Sequence, residues 1–169
     1  LKKAESRDEK LSLLNKRLEN IRTTIFRQIM FAAFERAIHA EVEGGGALTA
    51  DRINAIYADL VREFYGPDFV MGADDGVEWS YVPHFYYNFY VYQYATGLMS
   101  AIAMARRVQR GDEGAVTRVL DFLKAGGSDY PLAILKRVGV DMTTATPMEE
   151  TFQLFEETLA EFERVWSSK

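Results

Sequence analysis

Pro83-His84-Phe85-Tyr86-Tyr87-Asn88-Phe89-Tyr90-Val91-Tyr92-Gln93-Tyr94-Ala95-Thr96-Gly97, continued by Leu98-Met99-Ser100-Ala101-Ile102-Ala103-Met104-Ala105, decides how this chain folds. Pro83 biases Val82 toward extended backbone and marks the point where a loop hands over to a helix. A helix from about Tyr86 to Gln109 puts Tyr87, Tyr90 or Val91, and Tyr94 on one stripe, with Phe85, Phe89 and Tyr92 leaning to another. The small residues after Gly97 let a second helix approach closely, so that half is core. Arg106, Arg107 and Arg110 complement the dipole at the helix end, and Gly111 stops it.

The first half of the stretch carries chemistry that packing does not require. It holds five of the nine tyrosines and one of the two histidines. Each buried phenol hydroxyl needs a hydrogen-bond partner or costs about 1–3 kcal/mol, and phenylalanine would fill the same space more cheaply. Phenol O–H and imidazole N–H groups together suit a surface on which negative charge develops on an oxygen. For Phe85, Phe89 and Tyr94, simple packing is at least as good an account.

Toward the N-terminus, Ser6-x-x-Glu9 forms a capping-box pattern, and Leu11, Leu14, Leu18, Ile21 and Ile25 recur at helical spacing. The pattern thickens through Ile29, Met30, Phe31, Phe34 and Ala37, which predicts one long, bent helix ending before Gly44-Gly45-Gly46. His39 and Glu43 lie four apart, but a metal needs more convergent ligands, and a solvated or salt-bridged surface histidine is the better reading. Thr49 caps a further helix whose apolar face is Ile53, Ile56, Tyr57, Leu60, Val61 and Phe64, ended by Gly66-Pro67. Residues 68–81 read as an irregular loop, with Asp74-Asp75-Gly76 a solvated turn lacking calcium-loop spacing.

Toward the C-terminus, a helix from about Asp112 to Ala125 turns Val116, Val119, Leu120 and Leu123 inward. Gly126-Gly127-Ser128-Asp129 forms a C-cap and loop without the lysine or spacing of a phosphate-binding loop. Pro131 opens a short helix containing Leu132, Ile134, Leu135 and Val138. Thr146 caps the last helix, with Pro147 at its first position, and Met148, Phe152, Phe155, Leu159, Phe162 and Trp166 face inward. No segment alternates with period two. The fold class is therefore all-α, about six helices, with residues 1–169 a single helical domain.

Composition narrows the function classes. A net charge of −5 gives no basic field for nucleic acid or anionic lipid. No run of about 18 apolar residues exists to span a membrane. The absence of cysteine excludes disulfides, thiolate metal sites and a cysteine nucleophile. The charged start, Leu1-Lys2-Lys3-Ala4-Glu5-Ser6-Arg7-Asp8-Glu9-Lys10, has no apolar signal core and reads as the middle of a helix in a piece of a longer protein; cytoplasm is the expected location.

The wording from His84 to Gly97 resembles a late catalytic-domain segment of oligoendopeptidase F, within the thimet oligopeptidase superfamily of zinc metallopeptidases. Phe26-Arg27-Gln28-Ile29-Met30-Phe31-Ala32, Tyr65-Gly66-Pro67, and Phe122-Leu123-Lys124-Ala125-Gly126-Gly127-Ser128-Asp129-Tyr130-Pro131 running to Gly139-Val140-Asp141-Met142 agree in order and spacing. The resemblance implies a helical, zincin-like catalytic domain. It implies zinc in the complete enzyme, held by a His-Glu-x-x-His helix and a distant Glu, none of which is in this chain, so that the chain alone binds no metal and is inactive.

It further implies that His84 hydrogen-bonds the substrate and that Tyr92, with Tyr86 or Tyr87, stabilises the oxyanion, while Tyr90 and Phe89 line the substrate surface. Thimet-type relatives have a longer, glycine-rich spacing between the histidine and the last tyrosine, which leaves Tyr86 and Tyr87 as alternatives. The expected partners are a short peptide and the N-terminal part of the parent peptidase, with a homodimer as another way to cover the exposed face. A non-catalytic helical module that binds peptides or proteins is the competing reading. A haem binder ligated by His84 lacks any attachment pattern.

Overall fold

The computed structural model describes Ala4 and residues 6–168. The remaining N-terminal residues, part of the charged stretch read above as mid-helix, lie outside the described residues. The described chain is α-helical: α1 (Arg7–Ile21), α2 (Arg27–Glu43), α3 (Ala50–Tyr65), α4 (Tyr92–Arg110), α5 (Ala115–Ala125), α6 (Pro131–Arg137) and α7 (Thr146–Ser167). A π-helical turn, Arg22–Phe26, joins α1 to α2, so the backbone stays helical across residues 7–43, as the apolar spacing predicts. Two 3-10 helices, Asp75–Tyr81 and Pro83–Tyr86, occupy much of the segment before α4. Among the described residues no helix is long and apolar enough to cross a membrane.

The chain divides into two compact units, residues 23–95 and residues 1–22 with 96–169. In the first, Met30, Phe31 and Phe34 of α2 pack with Tyr57 and Val61 of α3 and with Val82 and Val91. Thr49 caps α3, its hydroxyl accepting the Arg52 N–H at 3.2 Å, and Gly66 ends it at φ 81°, a left-handed value that glycine takes without a Cβ clash. The loop expected at residues 68–81 is more ordered than its glycines suggest. Glu78 accepts the Tyr57 hydroxyl at 2.5 Å and pairs with Arg27, and Trp79 donates its indole N–H to Asn54 at 2.8 Å. Burial pushes the Tyr57 phenol pKa up, so it stays protonated as a donor. The expected solvated turn at Asp74-Asp75-Gly76 is built by Asp75, whose carboxylate accepts the Gly72 N–H at 2.6 Å.

The second unit pairs α1 with α7. Ser6 caps α1 by accepting the Glu9 N–H at 3.2 Å. Leu11 and Leu14 meet Val165 and Phe162, while Lys10 pairs with Glu161 at 2.6 Å. Arg7 donates to the Val165 and Trp166 carbonyls at 3.1 and 2.6 Å, so its guanidinium closes the C-terminal end of α7. Arg106 of α4 makes a two-pronged pair with Glu157 of α7, both contacts at 3.0 Å.

Four sequence expectations about helices are corrected. Tyr86 ends a 3-10 helix, residues 87–91 are not helical, and α4 begins at Tyr92. Asn88 and Phe89 take φ values of 41° and 54°, because Phe85 packs on Phe31 and Phe34 while Val91 is fully buried, and the chain reverses between those anchors. The α5 helix starts at Ala115 after a left-handed Gly114, and Val116, Leu120 and Leu123 are exposed rather than inward. On α7 the buried positions are Pro147, Thr151, Thr158 and Val165, the last three about two turns apart, while Met148, Leu159 and Trp166 are exposed. The two threonine hydroxyls donate back to the Pro147 and Leu154 carbonyls, which satisfies them within the helix. Thr146 is the first helical residue of α7 rather than its side-chain cap.

Candidate functional site

The site lies within residues 23–95, at the junction of the 3-10 helix Pro83–Tyr86, the left-handed turn, and the first turn of α4. Pro83 supplies the fixed φ that opens the 3-10 helix, and Phe85 roots it in the core. With Phe85 turned inward, its neighbours His84 and Tyr86 point elsewhere: His84 is half-buried and Tyr86 is 75% exposed.

His84 is the hub. Its ring lies flat against Tyr90, at 5.7 Å between centroids and 9° between planes. Tyr87 and Tyr94 meet it edge-on, at 6.3 and 5.5 Å. The His84 Nε2 and the Tyr94 hydroxyl are 3.0 Å apart. The Tyr94 phenol is pushed up, first by its hydrogen bond with Tyr90 and then by partial desolvation, so imidazole, Tyr94 and Tyr90 form one polar chain. Tyr87 and Tyr94 also stand edge-on to Tyr90, at 6.1 and 5.4 Å.

That arrangement depends on the turn. A continuous helix from Tyr86 would carry Tyr90 and Tyr94 up the axis away from His84, at 1.5 Å per residue. The left-handed pair Asn88 and Phe89 instead folds Tyr90 back onto the imidazole. The Phe89 N–H is held by the Glu35 carboxylate at 2.5 Å, and the Phe89 ring lies 4.5 Å from that of His39.

Of the residues expected from sequence, the structure brings His84, Tyr87 and Tyr90 together and sets Phe89 in the turn beside them. Tyr92 opens α4 and is 50% exposed. Among the described residues no ring contact or hydrogen bond ties Tyr86 to His84. Sequence reasoning missed Tyr94, which it gave equally to packing, and Glu35 and His39. His39, read from sequence as a solvated or salt-bridged surface residue, is half-buried, and its ring packs on Phe89. Asn88 was the available signal for a turn, because asparagine enters the left-handed region more readily than other non-glycine residues. Nothing local announces Glu35, whose contact spans 54 positions. No three His, Asp or Glu side chains converge on a metal-sized position among the described residues.

The model of peptidase family M3 matches residues 1–154. Oligopeptidase PepF of Bacillus subtilis is 45% identical over 165 residues, covering 98% of this chain and 25% of the relative. Group B oligopeptidase PepB of Streptococcus agalactiae is 41% identical over 169 residues, covering 98% of this chain and 28% of the relative. The crystal structure of oligoendopeptidase-F from Enterococcus faecium superposes with a TM-score of 0.95 at 38% identity, over 99% of this chain and 32% of that one. The chain thus spans about a quarter to a third of the length of the relatives it matches.

Proposed function

Because this chain belongs to peptidase family M3, we propose that it is one part of a longer oligoendopeptidase that hydrolyses short peptides, and that it supplies the hydrogen-bond donors which grip the substrate carbonyl. The observation that carries the proposal is the His84 cluster, an imidazole stacked on Tyr90 and joined at 3.0 Å to the Tyr94 hydroxyl.

The chemistry follows from that bond. If the Tyr94 O–H donates to Nε2, the imidazole carries its proton on Nδ1, and that N–H is free to donate. If Nε2–H donates to Tyr94 instead, the Tyr94 O–H donates on to Tyr90, whose own O–H is then the outer donor. In both arrangements the chain of His84, Tyr94 and Tyr90 keeps one donor for a substrate oxygen. The Tyr87 and Tyr92 side chains, 64% and 50% exposed, bring further hydroxyls to the surface a ligand would meet. Tyr86, more exposed still, remains the alternative to Tyr87. Such donors act by binding the oxyanion more tightly than the carbonyl it came from, and each contributes about 10²–10³ in turnover. Tyr90 and Phe89 form the apolar side of the same surface.

The described residues do not fit a zinc centre, which takes three protein ligands and an open position. In this reading zinc belongs to residues outside the chain, and the chain alone is inactive. The exposed stripe Val116, Leu120 and Leu123 on α5 supports a chain that packs against further protein, since a contiguous apolar helix face in water is costly. Short peptides and the remainder of the peptidase are the partners this predicts.

The test is cleavage of a quenched fluorescent peptide by the longer protein and by this chain in parallel. Cleavage by the longer protein alone, abolished by a chelator and restored by zinc, supports the proposal. Cleavage by neither supports the non-catalytic peptide-binding module instead.

A further inference from the structure

We propose that Glu35, with His39 one turn further along α2, is a positioning residue that sets the geometry of the His84 cluster by clamping the turn at Phe89; the inference rests on the peptidase reading above for its kinetic consequence, though not for its structural one. Glu35 is 1% exposed. Its Oε1 accepts the Phe89 N–H at 2.5 Å, and its Oε2 is buried with no hydrogen-bond partner among the described residues. A buried carboxylate with one backbone bond is an expensive way to fill space, and an apolar side chain of the same volume would fill it at lower cost. What the carboxylate does that methionine could not is hold one backbone N–H, and it holds the one in the strained turn.

The strain is specific. Phe89 sits at φ 54°, a value that bulky L-residues adopt only where the surroundings enforce it, and Asn88 precedes it at φ 41°. His39, four residues after Glu35 and so on the same helical face, touches the Phe89 ring at 4.5 Å. One face of α2 therefore grips Phe89 twice, by its backbone and by its ring. Release of that grip lets residues 88–89 relax toward ordinary φ values, and the flat stack of Tyr90 on His84, which follows directly in the chain, is lost.

The test uses Glu35→Met, which keeps the volume and removes the acceptor, and Glu35→Gln, whose carboxamide oxygen can still accept. Amide hydrogen exchange measured by NMR on this chain reads the clamp directly. The Phe89 amide is expected to exchange at least about tenfold faster in Glu35→Met than in wild type, with the Tyr57 and Val61 amides unchanged, and Glu35→Gln to recover most of the protection. His39→Ala, which leaves the hydrogen bond in place, is expected to give a smaller rise at the same amide.

In the longer protein, Glu35→Met is expected to lower kcat about tenfold with KM changed less than about twofold, and to cost less than about twofold in a His84→Ala background. An unchanged Phe89 amide in Glu35→Met overturns the clamp. A full tenfold loss in the His84→Ala background overturns its action through the cluster. A longer protein without peptidase activity would remove the functional reading, while the exchange data would still decide the structural one.

Discussion

Tyr57→Phe isolates one hydrogen bond beneath the site. Tyr57 is fully buried, and its hydroxyl donates to the Glu78 carboxylate at 2.5 Å. Phenylalanine keeps the edge-on contact with Phe34 at 5.1 Å and the tilted one with Phe31 at 6.3 Å, so no cavity opens. The change is then the loss of a hydrogen bond to a charged acceptor, worth about 1.5–3 kcal/mol. Glu78 keeps its pairing with Arg27, which places the cost near the lower part of that range, about 2 kcal/mol. With a urea dependence of about 1–3 kcal/mol per M for a small protein, the unfolding midpoint should fall by about 1 M. Trp79 reports from the same cluster through its bond to Asn54, so its fluorescence in a Trp166→Phe background follows the right residues. A shift below about 0.2 M would refute the reasoning, because it would mean that Glu78 gains nothing from the phenol.

Three further outcomes are expected. Thr49→Ala removes the hydroxyl that accepts the Arg52 N–H and should cost about 1 kcal/mol in urea unfolding. Gly139→Ala places a Cβ at φ 89° and should lower stability by about 1–2 kcal/mol, measured in the same way. Acid should destabilise the unit containing α7. Asp141 is held down to about 2 by the Thr143 hydroxyl and by Lys136, and Glu161 to about 2 by Arg164 and Lys10. Both folded values lie below the unfolded ones, so their contributions are complete above about pH 5 and disappear as pH falls toward 2. An Asp141→Asn, Glu161→Gln double variant should therefore show a flatter decline of thermal midpoint across that window.

The sequence made the helical class and several helix ends legible, because those are local decisions. The hydroxyls of Ser6 and Thr49 cap within three residues, and Gly66, Gly111 and Gly126 take positive φ where helices stop. Of the apolar spacing Leu11, Leu14, Leu18, Ile21 and Ile25, all but the half-buried Leu18 are buried, for the same reason. It failed where the answer lies outside the segment. Periodicity shows that Val116, Leu120 and Leu123 share a face, but says nothing of what covers them. On α7, the buried line runs through two threonines that hydropathy ranks below the exposed Met148 and Leu159.

The same limit governed the site. Residue type and family resemblance singled out His84, Tyr87 and Tyr90, whose rings lie together in the structure, whereas helical geometry would have drawn Tyr90 away from the imidazole. The turn that joins them is enforced by Glu35 and by the burial of Phe85 and Val91, contacts that no window of local sequence contains. Tyr94 was the residue hardest to place, since a tyrosine on an apolar stripe reads as core until its hydroxyl is seen at 3.0 Å from a histidine nitrogen.

The most direct test of the central claim is to make His84→Ala and Tyr94→Phe separately in the longer protein and to measure kcat/KM on a quenched peptide together with bound zinc. The account predicts a loss of at least about tenfold in each, as expected for a missing oxyanion donor or its hydrogen-bond partner, with zinc content unchanged. Wild-type rates in His84→Ala would contradict it, and the cluster would then be packing alone.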